Sequence, residues 1–131
     1  MLLAACASQN PAPGASLDRT VTVTAAAPVE VPGEPLRVQL VAVNDHRCPV
    51  DVRCAWAGHA TVALQVSHGA SSPQVVMVGT PSPPAMTLPG EGRLGPYRFR
   101  LVELAPPNTT IAKPNLLQYR ATIQVTRTSG D

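Results

Sequence analysis

A chain of 131 residues with a formal net charge of +2 is long enough to bury one hydrophobic core and too short for two domains of ordinary size. Nine of its ten basic residues are arginines, scattered with no run of the kind that tracks a phosphate backbone, which argues against nucleic acid as a partner. Fifteen prolines, nine glycines and sixteen valines interrupt the chain too often for long helices, and no apolar run approaches the ~18 residues of a membrane span.

At the start, Leu3-Ala4-Ala5-Cys6 resembles the lipobox of bacterial lipoproteins, in which the chain is cut before the cysteine and the thiol receives a diacylglycerol. Met1 and Leu2 supply only a stub of the charged and apolar regions that export needs, so residues 1–5 read as the remnant of a lipoprotein signal peptide. The resemblance implies lipidation, palmitate included, at Cys6. The polar, proline-bearing segment that follows, with Pro11, Pro13 and Gly14, cannot pack and reads as a tether over residues 6–18. A β domain is expected over 19–128 and a short tail over 129–131.

Alternation begins at Arg19, where Val21 and Val23 between Thr20, Thr22 and Thr24 give a first strand. Pro28, Pro32, Gly33 and Pro35 break it. Leu36, Val38, Leu40 and Ala42 share one face of a second strand, which runs into a cysteine-bearing loop. Ala60, Val62, Leu64 and Val66 define a third. The run Val75-Val76-Met77-Val78 has no polar face and is expected to be covered on both sides. Residues 79–95 are rich in proline and glycine and leave room for one short strand near Met86, Thr87 and Leu88. Tyr97, Phe99 and Leu101 mark the next strand, and Tyr119, Ala121, Ile123 and Val125 the last, with a proline-rich loop from Ala105 to Asn115 between them. Asn108-Thr109-Thr110 has the form of a glycosylation sequon, which means little in a bacterial protein. Six to seven short strands without helical period predict an all-β, antiparallel, immunoglobulin-like sandwich.

Between the second and third strands, Asp45 to Gly58 concentrates two of the three cysteines and the only tryptophan in fourteen residues. With Cys6 assigned to the lipid, Cys48 and Cys54 remain as a pair for one disulfide in an oxidising compartment. Trp56 follows Cys54 by two residues, and in strand geometry the two side chains share a face, so the indole is expected to lie over the disulfide. Gly58 would then allow close approach of the indole or of a neighbouring backbone. Asp45 is suited to an Asx-turn, and Arg47 to pairing with Asp45 or Asp51. These features make Asp45, Arg47, Trp56 and Gly58 the structural set of the loop.

Two sharper chemistries compete with that reading. His46, Cys48, Cys54 and His59 form H-x-C-x5-C-x4-H, and His46 with His59 is a candidate for zinc or copper in a periplasmic metal protein. The spacing fits no standard zinc pattern, and oxidised cysteines cannot ligate. Copper through His46, His59, His68 or Met86 needs positions that the sequence does not show to be close. A thiol-disulfide protein at Cys48 and Cys54 is the second alternative, although a low-pKa thiolate is usually found in C-x-x-C at a helix start. No G-x-S-x-G, no H-E-x-x-H and no paired carboxylates are present, so neither an enzyme nor a bound cofactor is expected.

Read as D-x-R-C-P-x-x-V-x-C-x-W-x-G, residues 45–58 resemble a segment of small bacterial secreted proteins and lipoproteins without assigned activity, often with serine where His46 stands. The likeness extends loosely over the flanking and closing strands. It implies an exported, disulfide-bearing β domain. The expected function is therefore a non-catalytic module, monomeric and held to the membrane by its lipid, with a binding or structural role toward an unknown protein or small ligand in the envelope. Inward-facing Tyr97 and Tyr119 would leave Arg98, Arg100 and Arg120 on one outer face, a potential basic patch.

Overall fold

The computed structural model describes residues 17–81 and 90–127. Cys6, the lipobox, most of the tether, the strand expected near Met86 to Leu88 and the C-terminal tail lie outside them. Among the described residues, eight strands form two antiparallel four-stranded sheets packed face to face. The first sheet has the order β1-β8-β7-β6 and the second β2-β3-β4-β5, with β1 Leu17–Val23, β2 Val29–Glu30, β3 Leu36–Arg47, β4 Gly58–His68, β5 Gln74–Gly79, β6 Gly92–Leu94, β7 Tyr97–Ala105 and β8 Arg120–Arg127. The all-β sandwich expected from alternation is the fold observed.

The core is built from the inward positions of both sheets. Leu36, Val38, Leu40, Val62, Leu64 and Val66 of the second sheet face Phe99, Leu101, Ile123 and Val125 of the first, each at most 2% exposed. Period-2 alternation delivers these side chains to one side of each strand, and their removal from water supplies the main driving force for folding. Along one flank, β5 and β6 approach closely across the gap between sheets. There, a Cβ on Gly92 would lie 2.6 Å from the carbonyl oxygen of Met77, and the backbones are joined by the hydrogen bond Gly79 N to Gly90 O at 2.7 Å.

Four expectations change. Leu17 and Asp18, expected in the tether, are the first residues of β1, and Leu17 is buried in the core. The run at Val75 to Val78 is covered on one side only: β5 is an edge strand, with Val76 and Val78 buried while Val75 and Met77 are 63% and 48% exposed. An unbroken apolar run does not distinguish a doubly covered strand from an edge strand with an apolar outer face. The strands β2 and β6, of two and three residues, are too short to leave a periodic signal. The fourth change is the face of Ala42. The register of β3 on β4 shifts between Leu40 and Ala42, a β-bulge at Val41, so inward positions change from even to odd numbers. Ala42 turns to solvent, and Val43, Asp45 and Arg47 turn inward.

A second bulge, between Leu101 and Glu103 of β7, makes the corresponding adjustment in the other sheet and brings Leu104 inward opposite Ala121. Both bulges serve the same end of the sandwich, the end that carries the cysteine segment.

Candidate functional site

The strand β3 continues to Arg47, further than its apolar pattern indicates, and pairs Asp45 with Ala60, His46 with His59 and Arg47 with Gly58. The hydrogen bond Cys48 N to Ala57 O at 2.8 Å then closes the hairpin. Residues 48–57 form its loop, and Cys48 and Cys54 are joined within it by a disulfide with Cα atoms 5.9 Å apart. Closing so short a loop removes denatured-state entropy equivalent to about 2.4 kcal/mol.

Asp45, turned inward by the bulge, is the hub of the site. Arg47 grips its carboxylate with both arms of the guanidinium, Nε to Oδ1 at 2.8 Å and Nη2 to Oδ2 at 2.7 Å, and adds its backbone N–H at 3.2 Å. The Tyr119 hydroxyl donates to Oδ2 at 2.9 Å. Arg47 also reaches across to the other sheet, where Nη1 meets the carbonyl of Leu104 at 2.6 Å and Nη2 that of Pro106 at 2.8 Å. The Ala105–Pro106 peptide is cis. One guanidinium thus satisfies a buried carboxylate and the two carbonyls at the end of β7, a task suited to its planar fork of donors.

The loop is fastened a second time by the segment after β7. Asn108, 3% exposed, donates its side-chain amide to the Arg47 carbonyl at 2.7 Å, and its own carbonyl accepts from Val50 N at 2.9 Å. Asp51 accepts from Thr110, from its backbone N–H at 3.0 Å and from its hydroxyl. These bonds from Thr110 hold the Asp51 carboxyl below the usual carboxylate value.

For Asp45, burial opposes ionisation. The hydrogen bonds from Arg47 and Tyr119, with the Arg47 charge, outweigh it and hold the carboxyl below its ordinary value. Burial and the adjacent Asp45 carboxylate push the Tyr119 phenol up to about 12. Tyr97, at the opposite end of the sandwich, is also raised, first by burial and then by its bond to Glu34. There its hydroxyl donates to Glu34 Oε1 at 2.6 Å and Arg127 Nη1 donates to the same oxygen at 2.8 Å, so each end is closed by a tyrosine, a carboxylate and an arginine. A phenol whose folded value is raised keeps its proton and its stabilising bond below the unfolded value, near 10, and loses both as pH rises through the folded value. An ultraviolet titration is therefore expected to show Tyr119 still protonated at pH 10 in the folded protein and Tyr97 ionising later than in the unfolded one. Replacing Tyr119 by Phe should remove the step near pH 12.

The structural set read from the sequence is partly reassembled by these contacts. Asp45 and Arg47 pair with each other, and Asp51 turns to Thr110. Gly58 takes a φ of +80°, and a Cβ there would meet Cys48 N at 2.7 Å, Arg47 Cα at 2.8 Å and the carbonyl oxygen of His46. The close approach it allows is therefore that of the partner backbone. Trp56 does not lie in the core: it is 36% exposed, in a bend between Cys54 and β4, where the chain has left the strand geometry that the two-residue spacing assumes.

Sequence reasoning missed Asn108, the carbonyls of Leu104 and Pro106, and Thr110. The only signal at Asn108 was its sequon, whose amide is buried in the clamp. The arginine patch is also divided. Arg100 donates to Gln124 at 3.0 Å, and Gln124 in turn to Asp18 at 3.0 Å, while Arg120 stands opposite Ala105, roughly 13 Å further along β8.

Asp45, Arg47 and Asp51 at this end of the sandwich are thus paired internally, and beside them exposed apolar side chains face solvent together with Arg53 and Lys113. Val50 is 68% exposed, Ile111 88% and Leu117 71%. Next to them, a shallow cleft of about 420 Å³ lies between the bulged part of β3 and Lys113, Pro114, Leu116 and Tyr119. Among the described residues, no group of three or more His, Cys, Asp or Glu is placed to hold a metal ion. Compared with family models, curated proteins and solved structures, the chain matches none.

Proposed function

We propose that this chain is a non-catalytic domain of the bacterial envelope, tethered through a lipid on Cys6, with the cysteine-loop end of the sandwich turned toward a protein or small-molecule partner. The observation that carries this reading is the self-sufficiency of the Asp45 site. A catalytic acid, base or nucleophile needs a free valence toward substrate, whereas Asp45 is occupied by Arg47 and Tyr119 and the cysteines by each other. Exposed apolar side chains at one end of a rigid scaffold suit recognition better than chemistry. The lipobox and the resemblance of residues 45–58 to secreted proteins support the location.

Labelling with radioactive palmitate tests the anchor. In a bacterial host expressing the precursor with a complete signal peptide, label is expected in the wild-type protein and absent from Cys6→Ser, which should be released as soluble protein. Equal labelling of both forms, or of neither, would contradict the anchored reading.

A further inference from the structure

We propose that His46 and His59 are a chelating pair for a borderline divalent metal ion, copper(II) foremost, on the outer face of the second sheet. The two residues are directly opposite each other on β3 and β4. The bulge at Val41 turns His46 outward while its neighbours Asp45 and Arg47 turn in, and His59 stands outward between the inward Gly58 and Ala60. Opposed side chains on one face have Cβ atoms roughly 5 Å apart, a span that two imidazoles bridge to a common ion at about 2 Å from each nitrogen.

The two positions differ in access. His46 is exposed, whereas His59 is only 8% exposed, with the chain leaving β5 drawn alongside by the bond Thr80 N to Ala60 O at 2.9 Å. His46 is therefore the side chain open to incoming metal, beside a largely covered His59. Preorganisation favours the pair, because ordering two strands is already achieved when the ion arrives. The hairpin is pinned immediately beyond it by the Cys48 to Ala57 hydrogen bond and the disulfide.

Ligand chemistry narrows the ion. Imidazole suits copper, zinc and nickel, and copper(II) heads that series in affinity. The thiolates that would favour copper(I) are absent from the loop, since Cys48 and Cys54 are bonded to each other. Asn44 and Thr61 form the next opposed pair along the same face and offer oxygen atoms nearby. Two nitrogens with water completing the sphere make an open site that accepts a further ligand from a partner. This inference is independent of the lipid anchor.

The test is a copper(II) titration of the full chain carrying Cys6→Ser, which removes the cysteine thiol outside the disulfide, read by calorimetry and by electron paramagnetic resonance. Nitrogen hyperfine structure from two imidazoles is expected. His46→Ala and His46→Gln, at an exposed position, should fold normally and weaken binding by at least about tenfold, the lower bound for disturbing even the outer shell of a metal site. His68→Ala is the control, because His68 lies roughly 30 Å away at the far end of β4. It should leave the affinity unchanged. A spectrum without nitrogen coupling, an affinity unaffected by both His46 substitutions, or an equal loss in His68→Ala would overturn the assignment.

Discussion

Replacing Arg47 by methionine is expected to lower the unfolding free energy by about 3 kcal/mol, the scale of breaking a buried ion pair by removing one member. Methionine retains most of the aliphatic stem, so the loss falls on the guanidinium. The Arg47 and Asp45 side chains are 18% and 7% exposed, and the carbonyls of Leu104 and Pro106 depend on the same group. Removing it leaves a carboxylate with one phenol and a backbone N–H, and leaves two carbonyls without that donor. Urea denaturation followed by far-ultraviolet circular dichroism measures the effect. A loss below about 1 kcal/mol, the typical value of a surface pair, would show the clamp to be ornamental.

The same site sets a pH dependence. Asp45 titrates below its unfolded value, so its contribution is present above that value and is lost as pH falls through the folded one. Acid unfolding of the wild type should therefore include this loss. In the methionine variant, which lacks both the Arg47 hydrogen bonds and its charge, the Asp45 share of the acid limb should shrink and the difference between the two proteins should narrow at low pH.

The second large effect is expected at Gly58. An alanine there must take a left-handed conformation, which costs about 1–2 kcal/mol, and must also push its Cβ against the backbone of β3. Because the obstructing atoms are backbone, in the strand that carries Asp45 and Arg47, relief requires moving the clamp. We expect Gly58→Ala to lose about 3 kcal/mol in the same denaturation experiment, toward the upper end of ordinary single substitutions. Gly69→Ala separates the two contributions. Gly69 also has a positive φ, +57°, but a Cβ there meets nothing within 4 Å, so only the conformational part should be lost. Equal losses at the two glycines would remove the steric argument.

Why Gly58 and Arg47 matter was only half legible in the sequence. Strands with strict alternation, such as Ala60 to Val66 and Tyr119 to Val125, could be read because one buried face imposes period 2. The pairing of Cys48 with Cys54 followed from cysteine count. The bulge at Val41 was invisible, since it rests on one residue of register and not on any residue type, yet it decides that Asp45 and Arg47 point inward and His46 outward. For Trp56 the converse holds: its two-residue spacing from Cys54 implies a shared strand face, but the segment bends there, so the spacing does not set the side of the indole. Asn108 could not have been found, because its role depends on the chain after β7 folding back across sixty residues of sequence to meet Arg47 and Val50.

Asp45 and Arg47 act as one structural unit that fastens the cysteine hairpin to the opposite sheet. A double-mutant cycle with Arg47→Met and Asp45→Asn measures that directly. If the account holds, the double variant loses much less than the sum of the single losses, with a coupling energy of at least ~1.5 kcal/mol between the two residues. Simple additivity, within about 0.5 kcal/mol, would contradict it.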